Sequence, residues 1–414
     1  MKIVFVLAAC LAVALSTKVN YANYKVFRIT PQNEEQRQIL LNLEENNPGV
    51  IFWKHVRNVG YPVDIMTPPH LQAMVEDLAD FKIEVNEMLG DVQSLIVAEE
   101  AASAKADPRL SWDAYYSVDE INAFINETAA AHPTIATTGV YGRSHEGRDL
   151  NYIRLNKGNT RKPVIWVDAN IHAREWITNA VCTWIIKELT SGDATNWLDN
   201  FNFVIAPMLN PDGYTYSRST DRMWRKTRSN FAPGSTCRGA DPNRNFQFDW
   251  NTGGSSNAPC SDTFMGVSAL SEPEVSATAA FIQSIAQTDD LVFYLSLHSY
   301  SQLILISYGT ARGRIPDHNR HMTVGNAAAA AIARRYGTQF TPGNIVELLY
   351  VASGGSGDHV KGINNPDLAY TFEMRDTGRY GFLLPPDQII PSCLEFMDGF
   401  NVILTDLAAR HPVP

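Results

Sequence analysis

The sequence predicts an α/β protein of enzyme size with a small α+β module in front of it, and three observations carry that reading. Beyond residue 110, short apolar runs of strand length alternate with helix-period segments; Val164–Val167, Phe201–Ala206, Leu291–Leu297 and Leu368–Met374 are the clearest runs. Residues 24–90 are ordered strand, helix, strand, strand, helix, strand, which is the order of a ferredoxin-like module. A polar, helix-prone connector, 97–107, separates the two. A chain of 414 residues, 45% apolar and 19% charged, can bury a sizeable core. Its formal charge of −10 argues against nucleic acid and anionic membranes as partners.

Taken in order, Met1-Lys2 and the apolar run Ile3–Leu15, with small Ala14 and Ser16, read as a secretory leader over residues 1–16. The run is too short to span a bilayer and no later stretch replaces it. Tyr24–Ile29 alternates as a strand, and 34–45 is an amphipathic helix. Val50–Val56 and Val63–Met66 are strands, and Pro68-Pro69 opens a helix carrying Leu71, Met74, Val75 and Leu78 on one face. Phe81–Val85 is expected to be the fourth strand. The connector has little to pack and ends at Pro108-Arg109-Leu110, where Lys105 and Arg109 suit a trypsin-like protease. Leader, module and nickable connector before an enzyme-sized domain read as a zymogen, with 17–109 as the propart and 110–414 as the enzyme.

In the larger domain, helix 118–131 precedes strand-like 135–140 and 150–155. Region 210–270 reads as loop-rich, helix 272–286 leads into Leu291–Leu297, and helices 317–336 and 391–409 complete the pattern. Of the five cysteines, Cys10 falls in the leader. Cys237 and Cys260 bracket a loop rich in Gly, Ser, Asn and Pro and are expected to pair, while Cys182 falls on an inward helix face. Asn126-Glu-Thr128 is the single glycosylation sequon, in a helical setting.

The chemistry starts at Asp168-Ala-Asn-Ile-His172-Ala-Arg-Glu175-Trp. Here a buried strand ends in a polar turn and a helix begins, so His172 and Glu175 sit at a carboxyl strand end, where open α/β sheets place their ligands. An imidazole and a carboxylate three residues apart can turn toward one point. Both are good zinc ligands, and a catalytic zinc takes three protein ligands and keeps one open position. Strand Leu291–Leu297 delivers His298 in the same way.

With these residues in view, the chain resembles the digestive zinc carboxypeptidases of the pancreatic A/B type. The motifs that carry the resemblance run in register from about residue 112: His172-Ala-Arg-Glu175-Trp, Asn210-Pro-Asp-Gly213-Tyr, Met223-Trp-Arg-Lys-Thr-Arg228, Asp241-Pro-Asn-Arg-Asn245, His298-Ser-Tyr-Ser-Gln302, Ala352-Ser-Gly-Gly355 and Thr371-Phe-Glu373-Met-Arg-Asp-Thr-Gly-Arg-Tyr380. The N-terminal module looks like that family's activation domain. The resemblance implies a mixed sheet with helices on both faces and one Zn2+ held by His172, Glu175 and His298. It also implies Glu373 as general base and acid, and Arg225 steadying the developing oxyanion.

By the same resemblance, Asn243 and Arg244 grip a free C-terminal carboxylate, Tyr350 closes over the bound residue, and Arg174 and Tyr300 form subsites. Asp241 is expected to orient His172 from behind. Gly357 falls at the base of the side-chain pocket, with Leu305, Gly309, Ile345, Ala352 and Thr371 around it. An uncharged pocket implies a preference for aliphatic and aromatic C-terminal residues, unless Glu347 or Asp358 reaches in. The expected partners are peptides with a free C-terminus and an activating trypsin-like protease cutting at Arg109; the enzyme is expected to be a secreted monomer serving protein digestion.

Overall fold

The computed structural model describes residues 18–47, 49–107, 109–158, 161–191 and 197–413; the leader read in residues 1–16 lies outside the described residues. Two sheets organise the chain. The first is antiparallel, built from β1 (Lys25–Ile29), β2 (Ile51–Lys54), β3 (Val63–Thr67) and β4 (Val85–Leu89) in the order β2-β3-β1-β4, which is the ferredoxin-like arrangement. The second has eight strands: β5 (Ala136–Arg143), β6 (Asp149–Leu155), β7 (Val164–Ala169), β8 (Asn202–Ala206), β9 (Leu291–His298), β10 (Leu303–Ile306), β11 (Thr341–Asn344) and β12 (Leu368–Glu373). Their order is β11-β10-β12-β9-β7-β8-β6-β5.

The middle of the large sheet, β8-β7-β9-β12, is parallel, whereas β5, β6 and β10 run antiparallel to the neighbours that link them to it. Parallel strands covered on both faces read as continuous apolar runs, and every residue of β7, β8 and β9 is buried. Alternate side chains go to opposite layers. Ile165, Val167 and Leu295 join the core under helices Trp176–Thr190 and Ile389–Arg410, while Val164, Trp166 and Tyr294 join the core on the other face. The helix Trp176–Thr190 is buried nearly all round, as an apolar helix between a sheet and its neighbours must be.

The small sheet uses its two faces differently. Phe27, Ile29, Phe52 and Ile65 form its own core with helix Glu34–Asn46, whereas Val26, Trp53, Met66 and Leu89 pack with Tyr300, Phe382 and Leu383 of the larger body. Three expectations need correction. The fourth strand begins at Val85, not Phe81, because Lys82 takes a left-handed conformation (φ 57°) that ends the preceding turn. The helix opened by Pro68-Pro69 is a chain of short turns, 69–71, 72–76 and 77–81.

The third correction concerns the connector, which does pack. Helix Val92–Ser103 buries Val92, Ile96 and Glu99 against the larger body. Glu99 receives Arg222 through Nε (2.6 Å) and Nη2 (3.0 Å), and Arg222 also donates to the carbonyls of Phe382 and Arg174 and lies over the Trp176 ring at 3.6 Å. Burial pushes the Glu99 carboxyl up and Arg222 works against it. Breaking such a pair from one side leaves a buried charge without its counterion. Glu99→Ala is therefore expected to weaken docking of the small module by about 3–5 kcal/mol, read as faster separation of the two parts after the connector is cut.

Candidate metal centre and active site

Three neighbouring parallel strands end at the same edge, and between them they deliver four groups. After β7, Asn170 adopts a left-handed turn (φ 56°), with its N–H held by Thr178 Oγ1 at 3.0 Å. This turn brings His172 round and sets Glu175 at the N-cap of helix Trp176–Thr190. His298 is the last residue of β9, and Glu373, the last of β12, stands opposite it in register. Ligating atoms of His172, Glu175 and His298 all lie within 4.8 Å of one another, and all three residues are buried. His172 Nδ1 is 2.7 Å from Glu175 Oε1, and His298 Nδ1 is 3.4 Å from Glu175 Oε2.

These residues fit a divalent metal. The Nδ1 atoms of His172 and His298 both face the Glu175 carboxylate, so two imidazole nitrogens and a carboxylate converge on one point. The donor set, two imidazoles and a carboxylate, is that of a zinc site with an open position. On the far side of His172, Nε2 meets Asp241 Oδ1 at 3.1 Å, so the ring is held from both sides.

Asp241 serves several groups at once. Its Oδ2 accepts Arg225 Nη2 at 2.8 Å and Nε at 3.1 Å, and its Oδ1 caps the turn Pro242–Arg244 through Asn243 N–H at 2.9 Å. Burial alone would raise its pKa, but Arg225 and then His172 hold it well below the usual carboxylate range. Glu175 is likewise held low, His172 and His298 overcoming its burial. Glu373 differs: burial pushes it up to about 7, with His298 pulling back and Glu175 adding to the rise. Arg375, two residues further on, pairs with Glu395 at 2.5 Å rather than with Glu373.

The cleft beside these groups is lined by Arg225, Asn243, Arg244, Tyr300, Tyr350, Leu305, Ile345, Ala352, Gly357 and Thr371. Asn243 Oδ1 accepts the N–H of Ser356 at 2.8 Å, tying the 3-10 turn to the pocket floor. Arg244 is anchored on the Asn243 carbonyl at 2.8 Å, with its Nη2 3.5 Å from Tyr350 Oη. Arg174 sits outside the lining, buried over the Phe382 ring at 4.3 Å and 3.2 Å from Asp262. Glu347 pairs on the surface with Arg314 at 2.6 Å and does not line the cleft, whereas Asp358 does. Cys237 and Cys260 are bonded, at an S–S distance of 2.04 Å; Cys182 and Cys393 are buried and free. Arg109 is exposed.

Sequence reasoning missed the groups that the small module contributes. Trp53, Lys54 and Arg57 line the same cleft. Asp64 accepts Arg28 through Nε and Nη2, both at 2.7 Å, and Tyr300 Oη at 2.8 Å. Lys54 Nζ stands 3.5 Å from Asp64 and 4.6 Å from the Tyr300 ring centre, and burial pushes it down to about 8. Arg57 donates to the Leu348 carbonyl, and the His55 ring meets Tyr350 edge-on at 5.3 Å. The signal was there: Lys54 and Asp64 are charged residues inside strands that are otherwise buried, and such residues require partners.

Comparison with known proteins agrees with this geometry. Residues 121–399 match the zinc carboxypeptidase family model and residues 27–99 the carboxypeptidase activation peptide model. The chain is 35% identical to zinc carboxypeptidase A 1 of Anopheles gambiae, covering 98% of this chain and 94% of that protein. It is 36% identical to carboxypeptidase A1 of Homo sapiens, covering 96% and 97%. Among solved structures, carboxypeptidase A from Helicoverpa armigera superposes with a TM-score of 0.85 at 30% identity, covering 94% of this chain and 99% of that one.

If Asp241 positions His172 for the metal, Asp241→Asn should weaken zinc binding about 10–100-fold while the protein stays folded. Metal content after dialysis against graded chelator concentrations measures this.

Proposed function

Because the chain belongs to the zinc carboxypeptidase family, with the activation peptide still attached, we propose that it is a secreted digestive zymogen whose active form releases aliphatic and aromatic residues from peptide C-termini. The observation that supports this most is the convergence of His172, Glu175, His298 and Glu373 at three adjacent strand ends, with Asn243 and Arg244 in the same cleft.

His172, Glu175 and His298 would hold the single zinc of the family. When bound, zinc supplies Lewis acidity, polarising a carbonyl and making water a nucleophile near neutral pH. Glu373, pushed up to about 7, is placed to take a proton from the attacking water and return it to the leaving amine. Arg225 keeps Nε and Nη2 on Asp241, which leaves its Nη1 as the donor for the developing oxyanion. Arg244, with Asn243, takes the substrate's terminal carboxylate, for which a planar guanidinium is the natural partner. An internal peptide bond offers no such charge, so the action is that of an exopeptidase. Arg174 and Tyr300 are assigned to flanking subsites and Tyr350 to closure over the terminal residue.

The side-chain pocket has apolar walls in Leu305, Ile345 and Ala352, and Gly357 leaves its base without a side chain. Such a pocket selects by the apolar area it takes from water, roughly 25 cal/mol per Å2. In the zymogen, Trp53, Lys54 and Arg57 occupy one side of the cleft, which accounts for latency. Exposed Arg109 is the proposed cut for a trypsin-like protease, and residues 1–16 are the proposed leader for export. The active enzyme is proposed to be a monomer.

Limited trypsin digestion should expose Leu110 as a new N-terminus and raise activity on peptides ending in Phe or Leu; a full-length chain equally active before cutting would refute latency. Glu373→Gln should lower kcat about 10²–10⁴-fold with zinc still bound. 1,10-Phenanthroline should abolish activity, and C-terminally amidated peptides should not be cut.

A further inference from the structure

The His298 ring is anchored on one side only. Its Nδ1 faces Glu175, so a metal that takes Nδ1 leaves Nε2 carrying the proton. That Nε2 is buried and has no hydrogen-bond partner among the described residues. His172 differs, because its rear nitrogen meets Asp241 at 3.1 Å. A buried donor left unmet costs stability, so the surroundings of His298 Nε2 should supply an acceptor.

The sheet brings one close. Side chains alternate along a strand, so Tyr294, Ser296 and His298 share a face of β9, and Asp168 of β7 stands beside Ser296 in register. Ser296 Oγ donates to Asp168 Oδ1 at 2.6 Å, and Trp166 Nε1 donates to Oδ2 at 2.7 Å. A carboxylate oxygen accepts more than one hydrogen bond, so both keep capacity. Burial pushes the Asp168 carboxyl up; Ser296, Trp166 and Tyr294 oppose this as donors, and the charge set against it is that of His298. His298 acts on it at a distance, with no direct bond between the two among the described residues. Tyr294 Oη and Ser356 Oγ are also buried without a hydrogen-bond partner among the described residues. Ser356, Ser296 and Asp168 all lie near enough to act on the Tyr294 hydroxyl. Three unmet polar atoms thus gather around a carboxylate with spare capacity, and a buried water is held by about two to four such partners.

We propose that Asp168 is a positioning residue for His298, reached through an internal water that accepts the Nε2 proton in a hydrogen bond and donates to the carboxylate. Tyr294 and Ser356 complete the water's partners. The inference rests on the metal reading of His172, Glu175 and His298 and adds to it an anchor for the second imidazole. Each ligand imidazole is then backed by a buried aspartate, His172 by Asp241 directly and His298 by Asp168 through water. The bridge fixes the ring's orientation and strengthens Nδ1 as a donor to the metal. Asp168 touches neither metal nor substrate and acts through His298 alone.

The test uses the full-length protein and Asp168→Asn, which has the same shape and keeps one acceptor oxygen. Zinc affinity, measured by competition with a graded chelator, is expected to fall about 10–100-fold. Ser296→Ala removes a bond to the same carboxylate without touching the bridge, and is expected to leave zinc affinity near that of the unaltered protein. In the cobalt-substituted protein each ligating imidazole N–H gives its own shifted proton resonance. Asp168→Asn should move one of the two, and Asp241→Asn the other.

Unchanged zinc affinity in Asp168→Asn overturns the proposal and leaves the metal reading intact. A loss matched by Ser296→Ala, or one in which both resonances shift together, also overturns it, since Asp168 would then act on the fold at large. Should the variant not fold, a high-resolution crystal structure of the unaltered zinc-loaded protein decides. A water bonded to both His298 Nε2 and the Asp168 carboxylate is expected there, and a structure without one overturns the proposal. An unaltered chain that binds no zinc overturns the metal reading beneath it.

Discussion

Asp241 is the buried charge on which the site's geometry depends. It touches His172, Arg225 and the turn that carries Asn243 and Arg244, and so couples the proposed metal ligand, oxyanion donor and carboxylate clamp through one carboxylate. The cluster around it places Glu175, Asp241 and Glu373 against Arg225 and Arg244, with imidazoles whose charge depends on their partners. A divalent ion between His172, Glu175 and His298 would add positive charge beside Glu175 and Glu373. An ion held there would act on the surrounding charges as well as on the reaction.

The large sheet makes that cluster possible. Polar side chains can be concentrated at one edge only if the rest of the sheet is sealed, and β7, β8 and β9 are buried on both faces along their length. The parallel arrangement then aligns three carboxyl ends side by side, so that neighbours in space are far apart in sequence. Short local motifs give the pieces, and strand order gives their meeting.

Much of this was legible in the sequence, and the rest was not for physical reasons. The apolar runs of β7, β9 and β12 are long and continuous, and His172, Glu175, His298 and Glu373 could be placed at strand ends without coordinates. β10 and β11 escaped notice because each has only four residues, and β11 contains Pro342 and Gly343, which argue against a strand unless it lies at an edge, as it does. Helix Pro211–Ser219 is mostly polar and buried by its surroundings, so no apolar stripe announces it. Helix Val92–Ser103 looked unpartnered because its key contact is a salt bridge with Arg222, more than a hundred residues away. Asp64 was missed for the same reason: its partners Arg28 and Tyr300 come from two different domains.

The distribution of contacts also bears on how latency ends. The bonds that fix His172, Glu175, Arg225, Asn243 and Arg244 are made among residues of the larger body alone. The small module touches the active-site set through side chains, Asp64 and Lys54 on Tyr300 and His55 on Tyr350. Catalytic groups held by their own neighbours have no need to be rebuilt when the module leaves. What departure changes is access to the cleft and the freedom of two tyrosines. On the proposed reading activation is an uncovering, and the energy it must overcome lies in the docking contacts, the Trp53 cluster and the Glu99–Arg222 pair, rather than in rebuilding the catalytic centre.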